Sequence, residues 1–404
     1  MKKYKLYRDE SDQDKLQSGG SSKKKKNNPF YYKTNKSNYN ITTLDSLIDK
    51  DVFYKEEYPL NCPTHMYTPT ILPAVEKIAV LGDIHGDLDL FLTLLKKAGV
   101  INNVTRNTLN NIKWTGGTTY VVQVGDQIDR CRPMGNLTCE HQNATYEDEA
   151  SDITILELAN KLKYMAKKAG GDFISLLGNH ELMNVVGQMS YVSHDNIKQF
   201  ENYVDATNPQ LVFRNALEAR KYAFLAGNEY GKMLGCTRLS CVIIGSHLFV
   251  HAGLVDGLIA ELQMNKTSDL ETINIAISKW LMGLIGKQYI DHIINGSRYS
   301  MFWTRLLGSI PPNTDIKHPS CYENITKVLK LFQVGKILVG HTPQSFLFGE
   351  KINATCSGTV VRADNGSSKA FHLFDSQFMN TGKVSKGREP NVLMIYNDKK
   401  YEVV

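Results

Sequence analysis

Three apolar runs in the first half of the chain each end in glycine, followed by a residue whose side-chain oxygen can bind a cation. "EKIAVLG" leads into Asp83, "TTYVVQVG" into Asp126 and "DFISLLG" into Asn179. Short apolar runs bounded by turn formers read as strands buried on both faces. Between them lie two helical patterns. "LDLFLTLLKKAGV" ends near Gly99, and "DITILELANKLKYMAKKAGG" has Asp152 as N-cap and Gly170 after its end. Strand, helix, strand, helix, strand constrains this region to an α/β fold with parallel pairing and right-handed crossovers. Ligands of such sheets gather outside the carboxyl ends of the strands, so the three tips are expected to converge on one site. Further along, "CVIIGSHLFVHAG" reads as two short strands around a tight turn. "GKILVGHTPQ", "TVVRADNG" and "NVLMIY" supply more strands, and 190–235 reads as helical, lining or covering the site.

Charge is informative here by its location. Of a formal net +6 over 404 residues, residues 1–40 contribute +7 (eleven Lys or Arg against four acids), which leaves −1 for the rest. The folded part is nearly neutral, so no nucleic-acid partner is expected for it. Residues 1–45, rich in Lys, Asn and Ser, read as a disordered tail that cannot bury enough apolar surface to order itself. Residues 46–75, punctuated by Pro59, Pro63, Pro69 and Pro73, read as a wrapping segment, and 76–404 as the main folded domain. That domain is interrupted at 131–150 by the polar insertion "CRPMGNLTCEHQNATYEDEA". No apolar run approaches the roughly 18 residues of a spanning helix, and no signal-peptide h-region follows Met1. The seven cysteines include no C-x-x-C pair. Together these point to an intracellular, cytoplasmic protein with reduced thiols, Cys236 and Cys241 being inert, and "KKKK" as a weak nuclear-import-like signal. On that reading the Asn-x-Ser/Thr triplets at Asn40, Asn136, Asn143 and Asn353 reflect an Asn-rich composition rather than glycan sites. Oligomeric state is not legible.

Five blocks carry chemistry: "GDIHGD" (82–87), "GDQIDR" (125–130), "GNHE" (178–181), "VHAG" (250–253) and "VGHT" (339–342). The first alone could be a turn, with Asp83 as a helix cap and His85 at the surface. All five present Asp83, His85, Asp126, Asn179, His251 and His341, a mixture of carboxylate, amide and imidazole. Two cations about 3.5–4 Å apart need such a set, including one carboxylate able to bridge both. The mixture suits Mn²⁺, Fe or Zn²⁺ better than Mg²⁺ or Ca²⁺.

These blocks, in this order, resemble the metal-dependent phosphoprotein phosphatases of the calcineurin-like metallophosphoesterase superfamily. The resemblance runs from about residue 72 to about 375. "LPAVEKIAVLGDIHGD", "GGDFISLLGNHELMNVVG", "MFWTRL" and "VRADNGSSKAF" look like the Shewanella-like phosphatase branch. The resemblance implies a four-layer α/β/β/α sandwich around a βαβαβ metal-binding core, with 76–404 as the metallophosphatase catalytic domain. It implies hydrolysis of phosphoserine, phosphothreonine or phosphotyrosine monoesters by a metal-bridging hydroxide, with two metal ions, Mn²⁺ first and Fe or Zn²⁺ next. Asp83 and His85 would hold one metal, Asp126 would bridge, and Asn179, His251 and His341 would hold the second. His180 would donate a proton to the leaving alkoxide, oriented by Asp129; a histidine beside a carboxylate suits that role near neutral pH. Arg130 is expected to grip phosphate oxygens with its planar fork. Arg305 in "FWTRL" is the second phosphate-binding candidate, with Arg362 behind it, and Glu181 reads as a supporting residue.

One departure stands out. The family continues Asp-Arg with Gly, whereas this chain has Cys131, which can follow only where φ stays negative. Two competing functions remain. A dinucleoside polyphosphate hydrolase would want basic residues at the mouth, which the acidic Glu140, Glu147, Asp148 and Glu149 oppose. A catalytically inactive phosphoprotein-binding scaffold would be expected to have lost a ligand or the acid, and neither is missing.

Overall fold

The computed structural model describes residues 40–404 apart from Gly135. Among these, the strands are β1 Ile71–Leu72, β2 Lys77–Leu81, β3 Tyr120–Gln123, β4 Asp172–Leu176, β5 Arg238–Leu239, β6 Cys241–Ile244, β7 His247–Val250, β8 Lys336–Val339, β9 Asn353–Thr355, β10 Val360–Arg362, β11 Leu393–Tyr396 and β12 Lys400–Val403. They form two six-stranded sheets, ordered β12-β11-β2-β3-β4-β5 and β1-β6-β7-β8-β10-β9. In the first, β2 to β5 pair in parallel, and β11 and β12 extend it antiparallel. In the second, the β6–β7 hairpin is flanked by parallel partners, β1 on one side and β8 then β10 on the other.

Side-chain alternation along the strands builds the layers. Ile78 and Val80 of β2 join the core shared between the sheets, whereas Ala79 and Leu81 face the helices Leu88–Lys97 and Asp152–Lys168. In β6, Val242 and Ile244 enter the shared core, and Cys241 and Ile243 face a second helical layer that includes Asp269–Leu281 and Pro319–Phe332. Where a sheet is covered on both faces, the alternating side chains of its strands are apolar on both, which explains why the runs read as continuous. The result is the expected order of helix, sheet, sheet, helix.

Several local expectations need correction. Asp87, the second acid of "GDIHGD", is the residue that caps Leu88–Lys97, accepting from Leu90 N at 3.0 Å. The N-cap position of Asp152–Lys168 is Ser151, not Asp152; the Asp152 carboxylate is used in the site instead. The tail expected over 1–45 also stops short. Ile41–Leu47 is a helix, capped by Asn40 accepting from Thr43 N at 3.0 Å, with Ile41 and Leu44 buried. Asp45 anchors it, accepting from Thr272 Oγ1 at 2.7 Å. One i, i+3 apolar pair was too little signal against a polar background. Residues 1–39 of that expectation lie outside the described residues. The segment after it runs over the same helical layer, where Tyr58 donates to Cys236 O at 2.6 Å and Lys50 pairs with Glu271 at 2.7 Å.

The thiol expectation fails. Disulfides join Cys62 to Cys236, Cys131 to Cys139 and Cys321 to Cys356. Only Cys241 is free; burial pushes its thiol up to about 12, so it is inert. Partners 174 residues apart in sequence leave no local spacing to read. No helix among the described residues is long and apolar enough to cross a membrane.

Candidate functional site

The five blocks sit just beyond the carboxyl ends of β2, β3, β4, β7 and β8, so the two sheets contribute to one cluster. His251 Nε2 lies 3.0 Å from Asn179 Oδ1 and 3.3 Å from Asp126 Oδ1. His85 Nε2 faces Asp83 Oδ2 at 3.9 Å and Asp126 Oδ2 at 3.8 Å. His341 donates its backbone N–H to Asp83 Oδ2 at 3.0 Å, and its ring is edge-on to His251 at 5.0 Å. All six expected ligands are therefore brought together, and all are buried.

The backbone is specialised to allow this. A Cβ on Gly178 would collide with the Asp126 carboxylate, and one on Gly340 with that of Asp83. Glycine is needed there because the acids occupy the space. His85, Asp126, Asp129 and His341 adopt left-handed φ values of 48°, 52°, 72° and 64°. Each such non-glycine residue costs on the order of 1–3 kcal/mol, and this strain is concentrated at the site. Glu181 braces the loops against one another: its buried carboxylate accepts from Asp126 N (3.0 Å), Gln127 N (2.8 Å) and Gly178 N (2.6 Å).

The electrostatics of the cluster fit a cation. Burial, then repulsion from Asp364 and Asp126, raises the Asp83 pKa well above the ordinary carboxylate value. Asp364, from "VRADNG", is likewise pushed up to about 6 by burial, and its Oδ2 has no hydrogen-bond partner among the described residues. Burial opposes ionisation of Asp126 too, but the charges of His251 and His180 outweigh it and lower its pKa well below normal. His85 and His341 are held well below the imidazole value, first by burial, then by Arg132 and Arg305 respectively, and so stay neutral and able to ligate. The His251 Nδ1–H donates to Val124 O at 2.8 Å and the His341 Nε2–H to Trp303 O at 3.2 Å. The neutral His341 ring thereby keeps its other nitrogen unprotonated toward the site, whereas for His251 burial is outweighed by the charge of Asp126, which raises its pKa. His85 Nδ1 has no partner among the described residues.

Two groups of side chains offer ligand atoms within 4.8 Å of one another: His85, Asp126 and His180, and Asp126, His251 and His341. Asp126 belongs to both. His180 differs from the others because its Nδ1 is 2.8 Å from Asp129 Oδ2. Burial opposes its charged form, but Asp126 and the Asp129 hydrogen bond outweigh burial and raise its pKa. A carboxylate partner that favours imidazolium suits a proton donor better than a ligand.

Behind this pair is a buried network assembled from residues far apart in the chain. Asn184 donates to Asp129 Oδ1 at 2.9 Å, Arg220 donates to Asn184 Oδ1 at 2.9 Å and to Asp152 Oδ2 at 2.8 Å, and Asp152 Oδ1 accepts from Asp129 N at 3.3 Å. Burial holds the Asp152 pKa up to about 7 despite Arg220. Asn184 was within reach of inspection, one helical turn after His180; Arg220 carried no local signal.

The arginines divide differently from expectation. Arg130 is fully buried and turned into the insertion, donating to Glu149 Oε1 (2.7 Å), Glu147 O (2.7 Å) and Gly86 O (3.1 Å). Arg305 lies beside the cluster, with Nη1 donating to His341 O at 3.0 Å. Arg362 is buried against Ile310 O and the Asn353 side chain. Cys131 avoids the left-handed region and bonds to Cys139, so no glycine is required after Arg130.

Residues 76–345 match the calcineurin-like phosphoesterase family, and the chain belongs to it: its site is that of a phosphoesterase, a hydrolase of phosphate esters whose family binds divalent metal ions. The chain is similar to uncharacterized protein R398 of Acanthamoeba polyphaga mimivirus, with 36% identity over 251 residues, 59% of this chain and 94% of that one. It is also similar to Shewanella-like protein phosphatase 2 of Arabidopsis thaliana, 26% identical over 323 residues, 73% of this chain and 72% of the other. In fold it is similar to the cold-active protein-tyrosine phosphatase of a psychrophilic Shewanella, with a TM-score of 0.56 and 20% identity, covering 84% of this chain and 83% of that one.

Proposed function

We propose that the protein is a dinuclear metal-dependent protein phosphatase that hydrolyses phosphoserine, phosphothreonine or phosphotyrosine monoesters. The observation that carries the dinuclear reading is Asp126, one carboxylate facing imidazoles on two sides, with Oδ2 3.8 Å from His85 Nε2 and Oδ1 3.3 Å from His251 Nε2. Asp83 and His85 would complete one position, and Asn179, His251 and His341 the other. The mixed oxygen and nitrogen donors favour Mn²⁺, with Fe or Zn²⁺ next. When bound, such a pair supplies Lewis-acid charge and a water of lowered pKa.

The chain's own residues do the rest. Asp129 holds the His180 Nδ1–H, which leaves Nε2 facing Asp126 Oδ2 at 3.9 Å and carrying the proton a leaving alkoxide needs. Asn184 and Arg220 fix Asp129, so the acid is presented in one orientation. Arg305, with its backbone-bound Nη1 at His341, is placed to offer its remaining donors to phosphate. The protein-phosphatase names of the relatives support a phosphoprotein substrate over a nucleotide.

The test is a substrate panel on the full chain with Mn²⁺ added: phosphoserine, phosphothreonine and phosphotyrosine peptides beside diadenosine tetraphosphate. Cleavage of one or more phosphopeptides ahead of the dinucleotide is the expected result. Cleavage of the dinucleotide alone overturns the protein-phosphatase reading.

A further inference from the structure

The position expected to grip phosphate, Arg130, has its charge neutralised before any substrate arrives. Its Nη1 and Nη2 are engaged by Glu149, Glu147 O and Gly86 O, with Asp87 4.0 Å away, and its buried Nε has no partner among the described residues. Two residues on, Arg132 is in the opposite condition. Its hydrogen bonds come from Nη1 alone, to Asp129 O at 3.0 Å and Cys131 O at 2.8 Å. No carboxylate among the described residues pairs with it. Its guanidinium lies 4.7 Å from the ring centre of Phe371 and 5.5 Å from that of Tyr191. Those rings are the edge neighbours of the site itself: Phe371 meets His85 at 5.3 Å and Tyr191 meets His180 at 5.1 Å.

We infer that Arg132, rather than Arg130, is the guanidinium that meets the substrate's phosphate oxygens on the His85–His180 side of the site, opposite Arg305. This rests on the phosphomonoesterase reading above and names the group that binds the substrate's charge. Three features make the position a built one. Two aromatic faces hold the guanidinium plane without consuming its donors. Nη1 is fixed to the backbone of the proton-donor loop, so the fork is registered against His180 through Asp129. The Cys131–Cys139 disulfide and the Cys131 N–H to Tyr191 O bond (3.0 Å) fix the residue before it. The half-exposed guanidinium lacks an anionic partner among the described residues, and phosphate would supply one.

The test is calorimetric titration of the Mn²⁺-loaded full chain with inorganic phosphate, beside steady-state hydrolysis of p-nitrophenyl phosphate. Arg132→Ala should weaken phosphate binding about 10- to 100-fold, the loss expected when a charge-assisted pair is removed, and raise KM in parallel. Arg132→Lys should recover part of the affinity, since it restores the charge without the fork. Both variants should keep the wild-type metal content and melting temperature, because the side chain is not in the core. Phosphate affinity of Arg132→Ala within twofold of an active wild type overturns the assignment and leaves the hydrolase reading standing. A wild type that hydrolyses no phosphomonoester, yet binds phosphate through Arg132, contradicts the hydrolase reading and supports the assignment.

Discussion

The strand tips and the 131–150 insertion sit side by side yet carry information differently. At the tips, the proposed ligands are tied to a local pattern: an apolar strand and a glycine precede Asp83, Asp126, Asn179 and His341, and a strand ends directly on His251. Backbone geometry explains the coupling, since Gly178, before Asn179, is close-packed against the Asp126 carboxylate, and Gly340, before His341, against that of Asp83. In the insertion the function of a side chain depends on partners many residues away or on a covalent bond. Arg130 and Arg132 have the same chemistry and are two positions apart. One is neutralised by Glu149 and the other is held open between Tyr191 and Phe371. The lesson is that strand-end sites can be read from sequence one motif at a time, whereas a loop's charges acquire their roles only after it is folded.

The largest effect expected separates the tips from everything else. Asp126→Asn should remove bound metal and reduce activity to near background, because one carboxylate serves both groups of ligand atoms. Metal analysis of the purified variant checks this; full metal occupancy would break the claim that Asp126 bridges. Next comes Arg305→Ala, on the His341 side. It should lower kcat/KM about 10- to 1000-fold with metal content unchanged, measured on p-nitrophenyl phosphate. Activity within twofold of wild type would return Arg305 to a backbone-bracing role and leave Arg132 as the principal phosphate cation. The smallest effect concerns the basic tail. Deleting residues 1–39 should leave turnover of a small phosphomonoester unchanged, since the described site draws no residue from before Asp83. A large loss would show that the tail completes the site.

Much of the fold was legible because the sheets are buried on both faces. β2, β3, β4, β6, β7, β8, β10 and β11 were readable as apolar runs, and helix spacing fixed Leu88–Lys97 and Asp152–Lys168. The two-residue strands β1 and β5 were not, since so short a run has no periodicity, and β12 is largely exposed, with only Tyr401 half-buried. The blocks that carry the six proposed ligands, His180 and Asp129 were legible because each lies at or just beyond the end of an apolar run. Arg220 was not: it lies 36 residues beyond Asn184 and acts only through that contact. The disulfides escaped for the same reason, with the added effect that missing signal-like features suggested reduced thiols. Disulfides persist in oxidising surroundings, so the three pairs change the expectation about where the chain is stable.

The division of labour inside "GNHE" is the central claim, and one variant tests it most directly. His180→Asn should retain the wild-type metal content, because Asp129 rather than a cation is the partner of its Nδ1. It should lose roughly 10²–10⁴ in rate on an alkyl phosphate, the usual worth of a general acid, and less on p-nitrophenyl phosphate, whose leaving group needs less help. The wild-type rate on the alkyl substrate should fall on the alkaline side. Its raised pKa keeps His180 protonated past the ordinary imidazole value, and the acid is lost as pH rises through it. His180→Asn should lack that limb. Metal content, both rates and the pH profile measured together give the account's predicted result if metal stays and the alkyl rate collapses. A metal-free His180→Asn, or equal losses on the two substrates, would contradict it.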